Sequence, residues 1–122
     1  MKRIFIALAL FFLVIQSYAN ENKVLNTMLD KGATMFVDGG FYGVKFLPSG
    51  KIEETWSGDT WIKGYWKPTN SYNRFEITYE NVNSIQYLEI DFINKLWKIK
   101  GVAENGTKYQ DTWEIIAWSV LQ

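Results

Sequence analysis

Neither cysteine nor histidine occurs anywhere in the 122 residues. Without cysteine the chain can form no disulfide and offers no thiolate nucleophile. Without histidine neither a Ser-His nor a Cys-His pair can be assembled, and the usual zinc ligand sets are excluded. A metal would have to rest on carboxylate and carbonyl oxygens, and the sequence holds no EF-hand-like loop, so neither metal nor cofactor is expected. Proline is nearly absent, with only Pro48 and Pro68. Excess charge of one sign is missing too, since thirteen Lys and Arg balance thirteen Asp and Glu. With no basic stripe, a nucleic-acid partner is not expected.

Long apolar runs are also lacking, with one exception near the N-terminus. Lys2 and Arg3 precede an unbroken apolar stretch from Ile4 to Ile15, and Ser17, Tyr18 and Ala19 follow as a small-x-small cleavage pattern. This predicts a secretory signal over residues 1–19 with Asn20 as the new N-terminus. Twelve residues are too few to span a bilayer, so no stable membrane span is expected after cleavage. Removing Lys2 and Arg3 with the signal leaves eleven cations against thirteen anions, a net charge of −2. An exported chain without cysteine suits a periplasmic or secreted bacterial setting.

The remainder is rich in aromatic residues, and its pattern has a period of two. Residues 20–31 form the exception. Val24, Leu25, Met28 and Leu29 recur on one helical face, Asn22 can cap the start and Gly32 can end it. A helix this short must dock on something, and here it is read as a plug over apolar surface. Residues 32–122 then form one domain of seven or eight strands. They run from Ala33 to Val37, Phe41 to Leu47, Ile52 to Trp56, Thr60 to Lys67 and Arg74 to Glu80, then through the hairpin from Ile85 to Gly101, and end with Lys108 to Trp118. Short Gly-, Asn- and Pro-containing turns join them with no long crossover. A meander of this kind must deal with its edges, and closure into a small antiparallel up-and-down barrel removes them.

The firmest pairing expected is a hairpin turning at Asn94-Lys95. It sets Asp91 against Lys98 and Glu89 against Lys100 on one face, and Phe92 against Trp97 and Ile90 against Ile99 on the other. By the same reasoning Phe75 faces Ile90, Trp66 faces Phe75, and an Asn105-Gly106 two-residue turn sets Lys100 against Asp111.

Candidate binding residues sit where alternation breaks. Glu53 and Glu54 are adjacent, so one must point inward, and a bulge at Gly50 selects Glu54 together with Ile52 and Trp56. The Asn105-Gly106 register also brings Glu114 inside, whereas a one-residue shift would bury Trp113 and Ile115 instead. The expected site is therefore a barrel cavity or mouth lined by Glu54, Trp56, Trp66, Trp97 and Glu114, an apolar pocket with a few polar groups suited to a small ligand. Trp61 and Tyr65 are expected to lie opposite Ile62 and Trp66, exposed enough to engage a protein partner such as an exported enzyme or envelope component. A two-carboxylate hydrolase would need Glu54 and Glu114 roughly 5–9.5 Å apart, and a non-enzymatic role is expected.

The strand spacing, Phe41-Tyr-Gly-Val-Lys-Phe46 and Gly64-Tyr-Trp66 together resemble the small lipocalin-like (calycin-type) barrels of exported bacterial proteins. The likeness spans Gly32 to Trp118 and implies a closed barrel with a ligand-binding interior. Gly32-Ala33-Thr34 stands where that family has Gly-x-Trp, and no binding residue is carried over from it.

Overall fold

A computed structural model describes residues 23–121. The expected signal over residues 1–19 and the Asn22 cap lie outside the described residues. A helix over residues 23–30, α1, leads into eight strands. These are β1 (Ala33–Val37), β2 (Gly40–Phe46), β3 (Lys51–Trp56), β4 (Asp59–Pro68), β5 (Arg74–Tyr79), β6 (Gln86–Asp91), β7 (Leu96–Val102) and β8 (Lys108–Ala117). Each strand pairs antiparallel with the next, and β8 returns to β1, so the sheet closes as an up-and-down barrel. Among the described residues no helix is long and apolar enough to cross a membrane.

The alternation that makes strands also makes the core. In β5 Phe75 and Ile77 are buried, while Arg74 is exposed and Glu76 half-buried. Leu88 and Ile90 of β6, Trp97 and Ile99 of β7, and Ile115 of β8 continue the same face. An eight-stranded barrel has an interior just wide enough for side chains to fill. At the lower end, where β1 begins, Phe46 stacks on Trp66 at 5.0 Å and meets Phe75 edge-on at 5.0 Å. Val24 and Met28 of α1 join that core with 2% and 0% exposure, so the helix acts as a plug.

Turn chemistry follows local sequence. Asp38-Gly39 and Ser57-Gly58 both carry positive φ at each residue, joining Val37 to Gly40 and Trp56 to Asp59 as two-residue hairpin turns. At Leu47 to Gly50 the Gly50 N–H donates to the Leu47 carbonyl, and Gly50 takes φ 91°. This is the expected Gly50 bulge, and it sets Lys45 against Glu53 with Ile52 and Glu54 inward. Gly32, at φ 79°, ends α1, and any side chain there would collide with the Val44 carbonyl. Gly32→Ala therefore combines a left-handed strain of about 1–3 kcal/mol with that collision. Its urea midpoint should fall accordingly, and an unchanged midpoint would refute the placement.

Several expected registers are corrected. The β6–β7 hairpin keeps its faces but slips by two residues, pairing Ile90 with Trp97, Leu88 with Ile99 and Glu89 with Lys98. The cause is Asp91, which accepts both the backbone N–H of Asn94 (3.0 Å) and its side-chain amide (2.9 Å). Those bonds hold the Asp91 carboxyl below its usual range. The loop then spans residues 92–95, with Lys95 rather than Asn94 at positive φ. Phe92 leaves the ladder and stacks on Trp118 at 4.5 Å. Similar two-residue slips pair Phe75 with Leu88 and Trp66 with Ile77. Since strand side chains alternate, a slip of two preserves every inward residue.

The β7–β8 slip is one residue and has the opposite consequence. Gly106 donates to Ala103 at 2.9 Å and takes φ 85°, while Asn105 Oδ1 accepts the Thr107 N–H. The same turn-plus-bulge device as at Gly50 thus replaces a two-residue Asn105-Gly106 turn. Lys100 faces Gln110 and Trp97 faces Trp113. Trp113 and Ile115 are inside, and Glu114 is exposed on the outer face.

Candidate functional site

Pairing partners in an antiparallel sheet share a face, so the register identifies what lines the upper half of the barrel. From β2 comes Tyr42, from β3 Glu54 and Trp56, and from β5 Tyr79. Trp113 of β8 completes the ring. Trp61 of β4 joins them through a bulge. Opposite Glu53 the strand carries both Ile62 and Lys63, so that Ile52 faces Gly64 while Glu54 faces Trp61. Ile62 is pushed out to 46% exposure. The bulge therefore turns Trp61 toward the inner face beside Glu54, whereas Tyr65 lies on the outside at 40% exposure. Trp61 and Tyr65 do not share one exposed aromatic face, and this corrects their expected common orientation.

Glu54 is the centre of the arrangement. It is 4% exposed and accepts the Tyr42 hydroxyl on Oε2 at 2.5 Å, with the Tyr79 hydroxyl at 3.4 Å. Oε1 is buried and has no hydrogen-bond partner. Burial raises the Glu54 carboxyl above its ordinary range, and the two tyrosine hydrogen bonds pull it partly back. Burial likewise drives Tyr42 and Tyr79 up, with the Glu54 charge pushing the same way, so both phenols stay protonated and donate. Aromatic rings wall the acid. Tyr42 meets Trp113 edge-on at 5.9 Å and lies 6.4 Å from Trp56. Above them the Tyr109 hydroxyl donates to Gln86 Oε1 at 2.9 Å, its ring crossing Gly101, where even a methyl group would not fit.

The other expected lining residues fall elsewhere. Trp66 donates its indole N–H to the Leu47 carbonyl at 2.8 Å and stacks on Phe46, so it is part of the lower core. Trp97 is 3% exposed within the hydrophobic core. Glu114, outside the barrel, shares no cleft with Glu54, so the two-carboxylate geometry is not formed. Sequence reasoning brought Glu54 and Trp56 to one site. It names neither Tyr42 nor Tyr79 as a partner of Glu54, and it turns Trp61 outward. The adjacency of Glu53 and Glu54 was the signal that found the acid, but no local signal marks the bulge.

Two concavities lie away from this mouth. One, of about 540 Å³, is on the outer face between the β4–β5 loop and β8, where Arg74, Glu89, Lys98 and Lys100 form its charged walls beside Tyr87. Arg74 and Glu89 approach to 3.9 Å there, an exposed pair of small energetic weight. The other, of about 640 Å³, runs between α1, Phe92 and Trp118. Among the described residues, neither is lined by a buried side-chain nitrogen or oxygen that lacks a partner.

The closed eight-stranded antiparallel barrel is compatible with the lipocalin-like architecture expected from the sequence. No protein-family model, curated protein or solved structure matches the chain.

Proposed function

We propose that this is an exported, non-enzymatic binding protein of the lipocalin-like type that holds a small ligand at the upper mouth of its barrel. The observation that carries the reading is Glu54 Oε1, a buried acceptor without a partner inside a ring of half-buried aromatic side chains. Leaving such an atom unsatisfied costs about 1–3 kcal/mol, a cost that an incoming hydrogen-bond donor would remove. Aromatic walls with a few convergent polar groups are the common form of a small-molecule site. The opposite end is plugged by Val24 and Met28, so the mouth is the end left for a ligand. Export rests on the pattern from Lys2 to Ala19, and it fits a protein that captures a ligand outside the cytoplasm.

The test is a screen of neutral, cationic and anionic small molecules followed by NMR of the six tryptophan indole N–H groups. A ligand of the mouth should move the signals of Trp56, Trp61 and Trp113 while leaving that of Trp118, at the plugged end, in place. If no compound moves the mouth signals, or every ligand moves Trp118 instead, the mouth is not the binding site.

A further inference from the structure

Among the described residues the strand register leaves only acidic charges on the inner face, while the outer face carries both signs. Lys45, Lys51, Lys67, Arg74, Lys98 and Lys100 all pair with outward-facing neighbours. On the inner face the charged positions are Glu54, Asp59 and Asp111. Asp59 pairs with Trp56, and Asp111 pairs with the buried Ile99. Asp59 and Asp111 are exposed at the upper end, and Glu54 is buried beneath them. No inward-facing strand position among the described residues holds a Lys or Arg. An entering ligand therefore meets carboxylates at the rim and aromatic side chains below them. It ends at an acidic oxygen that has no donor of its own.

We infer that the mouth selects a small organic cation, an ammonium group carried on a flat or apolar body, with the ammonium donating to Glu54 Oε1. This rests on the reading of the mouth as a ligand site and narrows it to one chemical class. Each feature favours a cation over a neutral analogue. A carboxylate bound to an ammonium gives a charge-assisted hydrogen bond, roughly twice as strong as a neutral one. Trp56, Trp61 and Trp113 lie half-buried on the inner face, and aromatic rings attract cations by about 0.5–2 kcal/mol, an effect that grows as water is excluded. The tyrosine hydroxyls leave Oε1 free, because Tyr42 and Tyr79 both point at Oε2. An anion would face three carboxylates with no compensating cation. A neutral body would fill the aromatic ring but leave Oε1 at best weakly satisfied.

The probes that decide are phenethylammonium, the neutral 2-phenylethanol and the anionic phenylacetate, which share a ring and differ in charge. Binding is read from the indole N–H signals of the full chain, with residues 1–19 present or cleaved as the expressed protein carries them. The cation should bind at the mouth on the order of tenfold more tightly than the alcohol, equivalent to about 1.4 kcal/mol, and phenylacetate should not bind. Glu54→Gln should abolish the preference for the cation, and Asp59→Asn with Asp111→Asn, at exposed positions, should weaken cation binding at low salt. Those two rim variants keep the inference testable if Glu54→Gln does not fold. Mouth binding of the alcohol or of phenylacetate equal to or tighter than that of the cation overturns the inference and leaves the mouth standing as a site. Failure of all three probes to move Trp56, Trp61 and Trp113 overturns it as well. The wider screen then decides the mouth itself.

Discussion

Phe46→Ala is expected to lower stability by about 3–5 kcal/mol, the usual cost of removing a fully buried aromatic ring. Phe46 is 0% exposed and touches two further rings at 5.0 Å, so its removal opens a hole that the strands cannot close by moving. Cores are packed as densely as organic crystals, and a void forfeits the attraction of every atom that lined it. For a domain of about a hundred residues each kcal/mol is worth roughly 4–8 °C, so the thermal midpoint should drop by about 12–40 °C. Trp66 would lose its stacking partner, and its fluorescence reports the change directly. Phe36→Ala provides the contrast. Phe36 is 56% exposed on the outer face, and the change there should be within about 0.5 kcal/mol. Equal effects at the two positions would place Phe46 outside the core and the inner face on the wrong side of the sheet.

The second large effect is a dependence of stability on pH that originates at Glu54. Its carboxyl is raised by burial, so the folded chain holds the proton more tightly than the unfolded one. As pH rises from the ordinary carboxyl range through the folded value, the folded state carries the extra proton and stability falls. Above that window the folded protein must bear a buried, incompletely paired carboxylate. The groups that face it are Tyr42 and Tyr79, both protonated donors, and these reduce the penalty without removing it. A tenfold change in proton affinity is worth about 1.4 kcal/mol, well within the reach of urea titrations. Glu54→Gln should therefore gain on the wild-type chain between mildly acidic and neutral pH, whatever its stability at the acid end. Asp91 works in the other direction. Its lowered carboxyl withdraws stability as pH falls, and this must be kept in both chains for the comparison. Parallel profiles for the two chains would mean that Glu54 is solvated.

Which side chains face inward was legible wherever a strand alternates cleanly, because the period of two survives any even slip of register. That is why Leu88, Ile90, Trp97 and Ile99 line the core although their cross-strand partners differ from those expected. What the sequence conceals is the extra residue. Asn105-Gly106 reads as a two-residue turn. The chain instead spends Ala103, Glu104 and Thr107 as well, and this odd count exchanges Glu114 for Trp113. In β4, Ile62 and Lys63 look like ordinary alternation, yet together they oppose one residue and turn Trp61 inward. Glu54 could be found from its adjacency to Glu53 together with the Gly50 bulge. Its tyrosine partners lie twelve and twenty-five residues away, Tyr42 on the adjacent β2 and Tyr79 on β5, two strands along the curled sheet.

The most direct measurement is the ¹³C NMR titration of the Glu54 side-chain carboxyl in the folded protein. The account predicts a midpoint above that of free glutamate, moving down when phenethylammonium occupies the mouth. A midpoint at or below the free value, unmoved by any ligand, would contradict it.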